Sequence, residues 1–286
     1  MHESEIAVIM HPDKSPSGVI GPQTYLRDIP LYSSDRIITK RQSTPVNHCV
    51  RRALESPERK EFARTGILAL PVCFSESDRV VLEQLVAASV ATSVGRRKRR
   101  REYFDGGRVG HPVTPDALHS FSPVLRRLVA DSGILDAVHY YMSDIPRLFD
   151  IEVLETIPAA PDQDPHSDIY DKTGGVQLGR LVVIVIVSMD GPVTTEVVHQ
   201  SRSLATWKRA FDNHEPLVRA TDIDNCVLFD ACLVHRGVRN PSDSSLFRLC
   251  LTFIQESATP EQLRCVERLL RRKSRGLSLH DPLRSV

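Results

Sequence analysis

Residues 181 to 187 read LVVIVIV, the longest apolar run in the chain. The run is far short of the roughly 18 residues needed to cross a bilayer. Its length and β-branched composition are those of a strand. From about residue 140 onward the whole texture is mainly β. Further candidate strands are IEVLETI (151–157), TEVVHQ (195–200), LVRAT (217–221), NCVLFDACLVH (225–235) and FRLCLTFIQ (247–255). Turn signals separate most of them: PDQD, KTGG, DGP and NPSDSS. LATWKRAFDNH (204–214) reads as a short helix or a long loop.

Helical signals flank this block. SPERKEFARTG (56–66) predicts a short helix with Phe62 as its apolar contact and Gly66 as its stop. ILALPV (67–72) is a short strand candidate. In SESDRVVLEQLVAAS, Ser75 and Asp78 have capping-box spacing, and Val81, Leu82, Leu85 and Val86 follow at helical spacing. SPVLRRLVADSG predicts a third helix, stopped at Gly133. Near the C-terminus, Thr259 and Gln262 bracket Pro260 in capping-box spacing. Leu263, Val266, Leu269 and Leu270 form the stripe of a last helix. Arg271, Arg272 and Lys273 sit at its end, where cations suit the helix dipole. Helices before and after a run of short strands predict a mainly β fold, a sandwich or jelly roll with helices packed outside. The expected organisation is a largely irregular extension (1–56), a main domain (57–256), and a C-terminal helix and tail (257–286).

Composition excludes more than it identifies. The net charge of +1 over 286 residues gives no global hint of a nucleic-acid or membrane partner. MHESEIAVIM lacks the basic, then apolar, signature of a secretory signal, so an intracellular, cytoplasmic protein without a membrane span is expected. Cysteines at 49, 73, 226, 232, 250 and 265 form no C-x-x-C pair, and several lie in apolar runs. They read as buried free thiols in a reducing compartment.

One motif carries chemistry. In QDPHSDIYDKTGG, His166 and Asp168 flank Ser167. The same spacing at His11 and Asp13, in an irregular segment, is coincidence, so H-x-D needs partners. On an extended strand the period of two puts His166 and Asp168 on one face and turns Ser167 away. His235, at the end of NCVLFDACLVH, is the candidate third ligand. Two histidines and one carboxylate make a facial triad that holds Fe(II) and leaves positions open for substrate and O2. On the following strand Arg248, Cys250 and Thr252 alternate with Leu249, Leu251 and Phe253. A buried arginine needs an anion, and a dicarboxylate cosubstrate would serve.

These residues resemble the Fe(II)/2-oxoglutarate-dependent dioxygenases, with the closer likeness to the phytanoyl-CoA hydroxylase-like branch. FARTGILALPVCFSESDRVVLEQLV is similar to that branch's opening segment, and DIDNCVLFDACLVHRGVRNPS to its strand and turn around the distal histidine. The likeness spans roughly residues 57 to 256. It implies a double-stranded β-helix (jelly-roll, cupin-like) core, with Fe(II) at His166, Asp168 and His235. Arg248 would bind the distal carboxylate of 2-oxoglutarate, with Thr252 as a second contact. The implied reaction consumes O2 and 2-oxoglutarate and hydroxylates an unactivated C–H of a small organic substrate, with ascorbate as an accessory reductant. Tyr170 and His199 are candidate substrate contacts. The sequence departs from the family pattern in VVHQSRS, where a P-G-S-H-like turn is usual, and in Asp224-Asn225, where Gly-Asp is usual. The interval from His166 to His235 is short for the branch, which implies trimmed middle loops.

Six consecutive cations at 96–101, followed by Tyr103 and Phe104, leave other readings open. They are a solvated surface loop, a nuclear-localisation signal, or a docking surface for phosphate groups. The alternative function is therefore an oxygenase acting on a protein or nucleic acid held by that run. A third is a β-helix scaffold without catalysis, against which the complete triad and Arg248 speak.

Overall fold

The computed structural model describes residues 56–94, 107–113, 115–169, 178–189, 191–198, 201, 217–220 and 224–273. The extension, the basic run 96–101, Tyr170, His199 and the 204–214 segment lie outside the described residues, as do the two ends of the chain that hold His11, Cys49 and residues 274–286.

The LVVIVIV run forms β4 (Val182–Ser188), and its position explains its composition. It is the third strand of a six-stranded antiparallel sheet. The other strands are β1 (Ile67–Leu70), β2 (Arg108–Pro112), β3 (Pro146–Thr156), β7 (Cys226–Asp230) and β9 (Leu246–Gln255), in the order β1-β7-β4-β9-β3-β2. Both faces of β4 are covered. Val183, Val185 and Val187 join one core cluster, and Val182 and Ile184 join another. β9 divides the same way: Leu249, Leu251 and Phe253 lie in the first cluster, Cys250 and Ile254 in the second.

The first cluster is closed by helices α1 (Ser56–Thr65), α2 (Glu76–Val94), α3 (Pro115–Asp131) and α4 (Ile134–Met142). Phe62 and Tyr141, both fully buried, stack with ring centroids 4.3 Å apart and tie α1 to α4. The second cluster lies between the large sheet and a small sheet of order β6-β5-β8, built from β5 (Thr195–Val197), β6 (Val218–Arg219) and β8 (His235–Gly237). Helix α5 (Pro260–Lys273) adds Cys265 and Val266 to it. Two facing antiparallel sheets with helices on the outer side make the expected jelly-roll class.

Local signals behave as their chemistry dictates. Gly66 stops α1 at φ 80°, its N–H donating to Phe62 O at 2.8 Å. The Ser75 hydroxyl takes the Asp78 N–H at 3.1 Å. Thr259 and Gln262 cap each other reciprocally at 2.9 and 3.2 Å.

Three expectations need correction. Gly133, at φ 83°, stops α3 and at once opens α4, which the sequence did not signal. Cys73 is exposed, whereas Cys226, Cys232, Cys250 and Cys265 are buried free thiols. The segment NCVLFDACLVH is not one strand. β7 ends at Asp230, the chain turns through Ala231–Val234, and His235 begins β8 in the other sheet. Asp230 causes the break. Its fully buried carboxylate accepts from the Tyr141 hydroxyl (2.6 Å), Arg180 N (2.8 Å) and Cys232 N (2.9 Å). Asp230 is the last residue of the ladder, paired with Val183, and its carboxylate takes up the Cys232 N–H that a continued strand would use.

Candidate metal centre

After β3 the chain runs extended from Ala160 to His166, antiparallel to the segment from His235 to Asn240. Asn240 N donates to Ala160 O at 2.9 Å and Gln163 N to Gly237 O at 3.0 Å. His166 and His235 exchange both backbone N–H groups at 2.8 Å each, so the two imidazoles stand directly opposite one another. Pro161 and Pro165 lack N–H donors, which keeps this ribbon from being a regular strand pair.

Ser167 faces away as expected. Its buried hydroxyl donates to Ile169 O (2.9 Å) and Ala231 O (3.1 Å). Asp168, held by its N–H on Ala231 O (3.1 Å), returns to the histidine face. His166 Nδ1 lies 2.8 Å from Asp164 O, and His235 Nδ1 lies 2.9 Å from Leu233 O. A carbonyl only accepts, so both Nδ1 atoms carry the hydrogen, which turns both Nε2 atoms toward Asp168. The Nε2 atoms of His166 and His235 lie 3.7 Å from Oδ1 and Oδ2 of Asp168, beyond hydrogen-bond length. One ligand atom from each residue lies within 4.8 Å of the others. Asp168 and His235 are buried and His166 half-buried, so the cluster opens on one side. The Phe229 ring, 4.6 Å from that of His235, packs against the distal imidazole. Two oriented imidazoles and one carboxylate are the donor set of a divalent first-row metal.

Arg248 lies on the inner face, 5 % exposed. Its Nη1 donates to Thr156 Oγ1 at 3.1 Å, and its Nε meets no hydrogen-bond partner among the described residues. Burial, and secondarily the charge of Arg108, lower the guanidinium to about 10. A cation under that strain is a seat for an anion. Thr252 shares the face of Arg248 and is buried, but lies roughly 13 Å further along the strand at ~3.3 Å per residue. The structure therefore gives Arg248 a different neighbour, Thr156 of β3, whose Cα pairs with that of Arg108 on β2. Neither Thr156 nor Arg108 was singled out from the sequence. The available signal was the alternation of Arg108, Gly110 and Pro112 with Val109, His111 and Val113.

No protein-family profile matches the chain, and no curated protein does. Solved structures do. AviO1 from Streptomyces viridochromogenes Tue57 superposes with a TM-score of 0.52 at 17 % identity, covering 73 % of this chain and 99 % of AviO1. SnoK, described as a non-heme alpha-ketoglutarate-dependent carbocyclase from nogalamycin biosynthesis, gives a TM-score of 0.50 at 16 % identity, covering 71 % of this chain and 84 % of SnoK. Their fold is this chain's fold. At such identities the likeness concerns architecture alone. It is the same jelly-roll architecture that the strand pattern predicted, covering more than two thirds of the sequence. No described helix is long and apolar enough to cross a membrane.

Proposed function

We propose that this chain is an Fe(II)- and 2-oxoglutarate-dependent dioxygenase of the phytanoyl-CoA hydroxylase-like branch, hydroxylating an unactivated C–H of a small organic substrate. The observation that carries the reading is the convergence of His166 Nε2, His235 Nε2 and Asp168, with both Nδ1 hydrogens fixed on backbone carbonyls. The triad would hold Fe(II) by one face and leave its open side for cosubstrate and substrate. Arg248 and Thr156 would take the distal carboxylate of 2-oxoglutarate, the arginine by charge-assisted bonds and the hydroxyl by keeping its fork oriented. Iron, 2-oxoglutarate and O2 together supply the oxidising chemistry. The chain's own part is to orient, and to exclude water through the apolar wall of Ile184, Phe229 and Cys250. SnoK's described dependence on alpha-ketoglutarate supports the reading through the shared fold.

The test is spectroscopic. Anaerobic protein given Fe(II) and 2-oxoglutarate should develop the visible charge-transfer band of the chelate. His166→Ala or Asp168→Ala should abolish the band, and Arg248→Ala should weaken 2-oxoglutarate binding at least tenfold. Unchanged binding in all three variants would sink the assignment. A screen of metabolites for succinate release would then identify the substrate.

A further inference from the structure

The ribbon that carries both histidines has a defect that another element repairs. An antiparallel ladder between residues 160–166 and 235–240 should satisfy its N–H and C=O groups across the pair. Here the ladder is only partly made: Pro161 and Pro165 bring no N–H donor, and two N–H groups of the other arm turn to side chains. The Gly237 N–H goes to the Gln163 side chain (Oε1, 2.9 Å) and the Arg239 N–H to the Asp162 side chain (Oδ1, 2.7 Å). Val238 N turns to Thr194 O, just before β5, at 3.4 Å. The carbonyls of Pro161 and Val238, one on each arm, receive the guanidinium of Arg108: Nη1 to Pro161 O at 2.9 Å and Nη2 to Val238 O at 2.7 Å. Arg108 is 4 % exposed. Position 237 has to be glycine for the guanidinium to lie there. A Cβ would come within 2.9 Å of Arg108 Nε and 2.6 Å of Gln163 Oε1.

We propose that Arg108 is a positioning residue of the metal centre: its planar fork closes the proline-interrupted ribbon and so fixes the distance between His166 and His235. This rests on the metal-centre reading above. The two histidines share no covalent neighbour, and only the pairing of their two segments sets their separation. At the His166 end that pairing is one exchanged pair of backbone bonds, continued by the bonds of Ser167, Asp168 and Ile169 to Ala231 O. At the other end two backbone bonds, Gln163 N to Gly237 O and Asn240 N to Ala160 O, are joined by the side chains of Arg108, Gln163 and Asp162. A lysine carries the same charge but cannot span two carbonyls with fixed geometry.

The experiment titrates metal-free protein with Co(II), read by its visible d–d absorption, and follows amide hydrogen exchange of the same metal-free protein. Arg108→Met and Arg108→Lys should both weaken Co(II) binding by 10- to 100-fold, the range found when groups orienting a metal ligand are removed. They should also speed exchange at Gln163, His166, His235 and Gly237 while β4 and β9 stay protected. Arg180→Met removes an arginine–carbonyl bond elsewhere, to Ala63 O at 3.0 Å, and should leave Co(II) affinity unchanged. Full Co(II) affinity in Arg108→Met would overturn the proposal. So would rescue by Arg108→Lys, or an exchange increase spread evenly over the sheet. If the wild-type protein binds Co(II) no better than His166→Ala, the metal-centre reading itself fails, and the exchange pattern still reports whether Arg108 holds the ribbon.

Discussion

At the scale of single residues, buried charge is what this protein spends stability on. Burial, then the charge of Arg108, disfavours the Arg248 cation and holds its guanidinium below the ordinary range, down to about 10. A base whose value is lowered by folding opposes folding at every pH below the folded value, and the opposition fades as pH rises above about 10. At about 1.4 kcal/mol per unit the penalty is on the order of 3 kcal/mol. Arg248→Met should therefore leave the ligand-free protein at least as stable as wild type in urea, with a difference constant between pH 6 and 9, while removing 2-oxoglutarate binding. Asp230 is the opposite case. It satisfies three donors at once, so Asp230→Ala should cost roughly 3–5 kcal/mol, and Tyr141→Phe only about 1–2 kcal/mol, by urea midpoint. The shared face of His166 and Asp168 was legible from period two, and the candidacy of His235 and Arg248 was legible from their place in a pattern that resembles a known family. Thr156 was not, since its role depends on strand order and no local pattern encodes which strands become neighbours.

At the scale of elements, the same contrast separates β4 from the ribbon. β4 announces itself through a run of β-branched residues that two cores need. α4 escaped notice because Gly133, a sound stop signal for α3, also serves as the hinge that starts the next helix. The Ala160–His166 arm reads as irregular because its prolines and polar residues look like a turn, and the side chains of Gln163, Asp162 and Arg108 supplement its backbone bonds. Gly237→Ala tests that packing. Its methyl group must displace Gln163 and Arg108, so about 1–3 kcal/mol of stability should be lost. Weaker metal binding should accompany the loss, whereas Thr259→Ala at the α5 cap should cost about 1 kcal/mol and leave metal binding alone.

At the scale of the whole molecule, the two cores form without help from the metal centre. The side chains that fill them are apolar and close to fully buried, and the triad lies at the margin of the second core. Chelation should therefore leave the far-UV circular dichroism intact. A divalent metal at a hundredfold excess over its Kd should add about 2.7 kcal/mol, read as a rise in Tm. Acid should reverse that rise, because metal ligands bind in their deprotonated form and metal affinity falls with pH.

The mutual pairing of His166 and His235 also governs which changes of chain length the protein can absorb. Lengthening or shortening the connection after Ile169 leaves both ribbon arms in step. Removing one residue from 161–165 or from 236–239 shifts one arm against the other and turns Ser167 or a backbone group toward the ion. A deletion scan should then show a sharp boundary, with loss of metal binding from 161 to 169 and from 231 to 239, and tolerance outside those two windows.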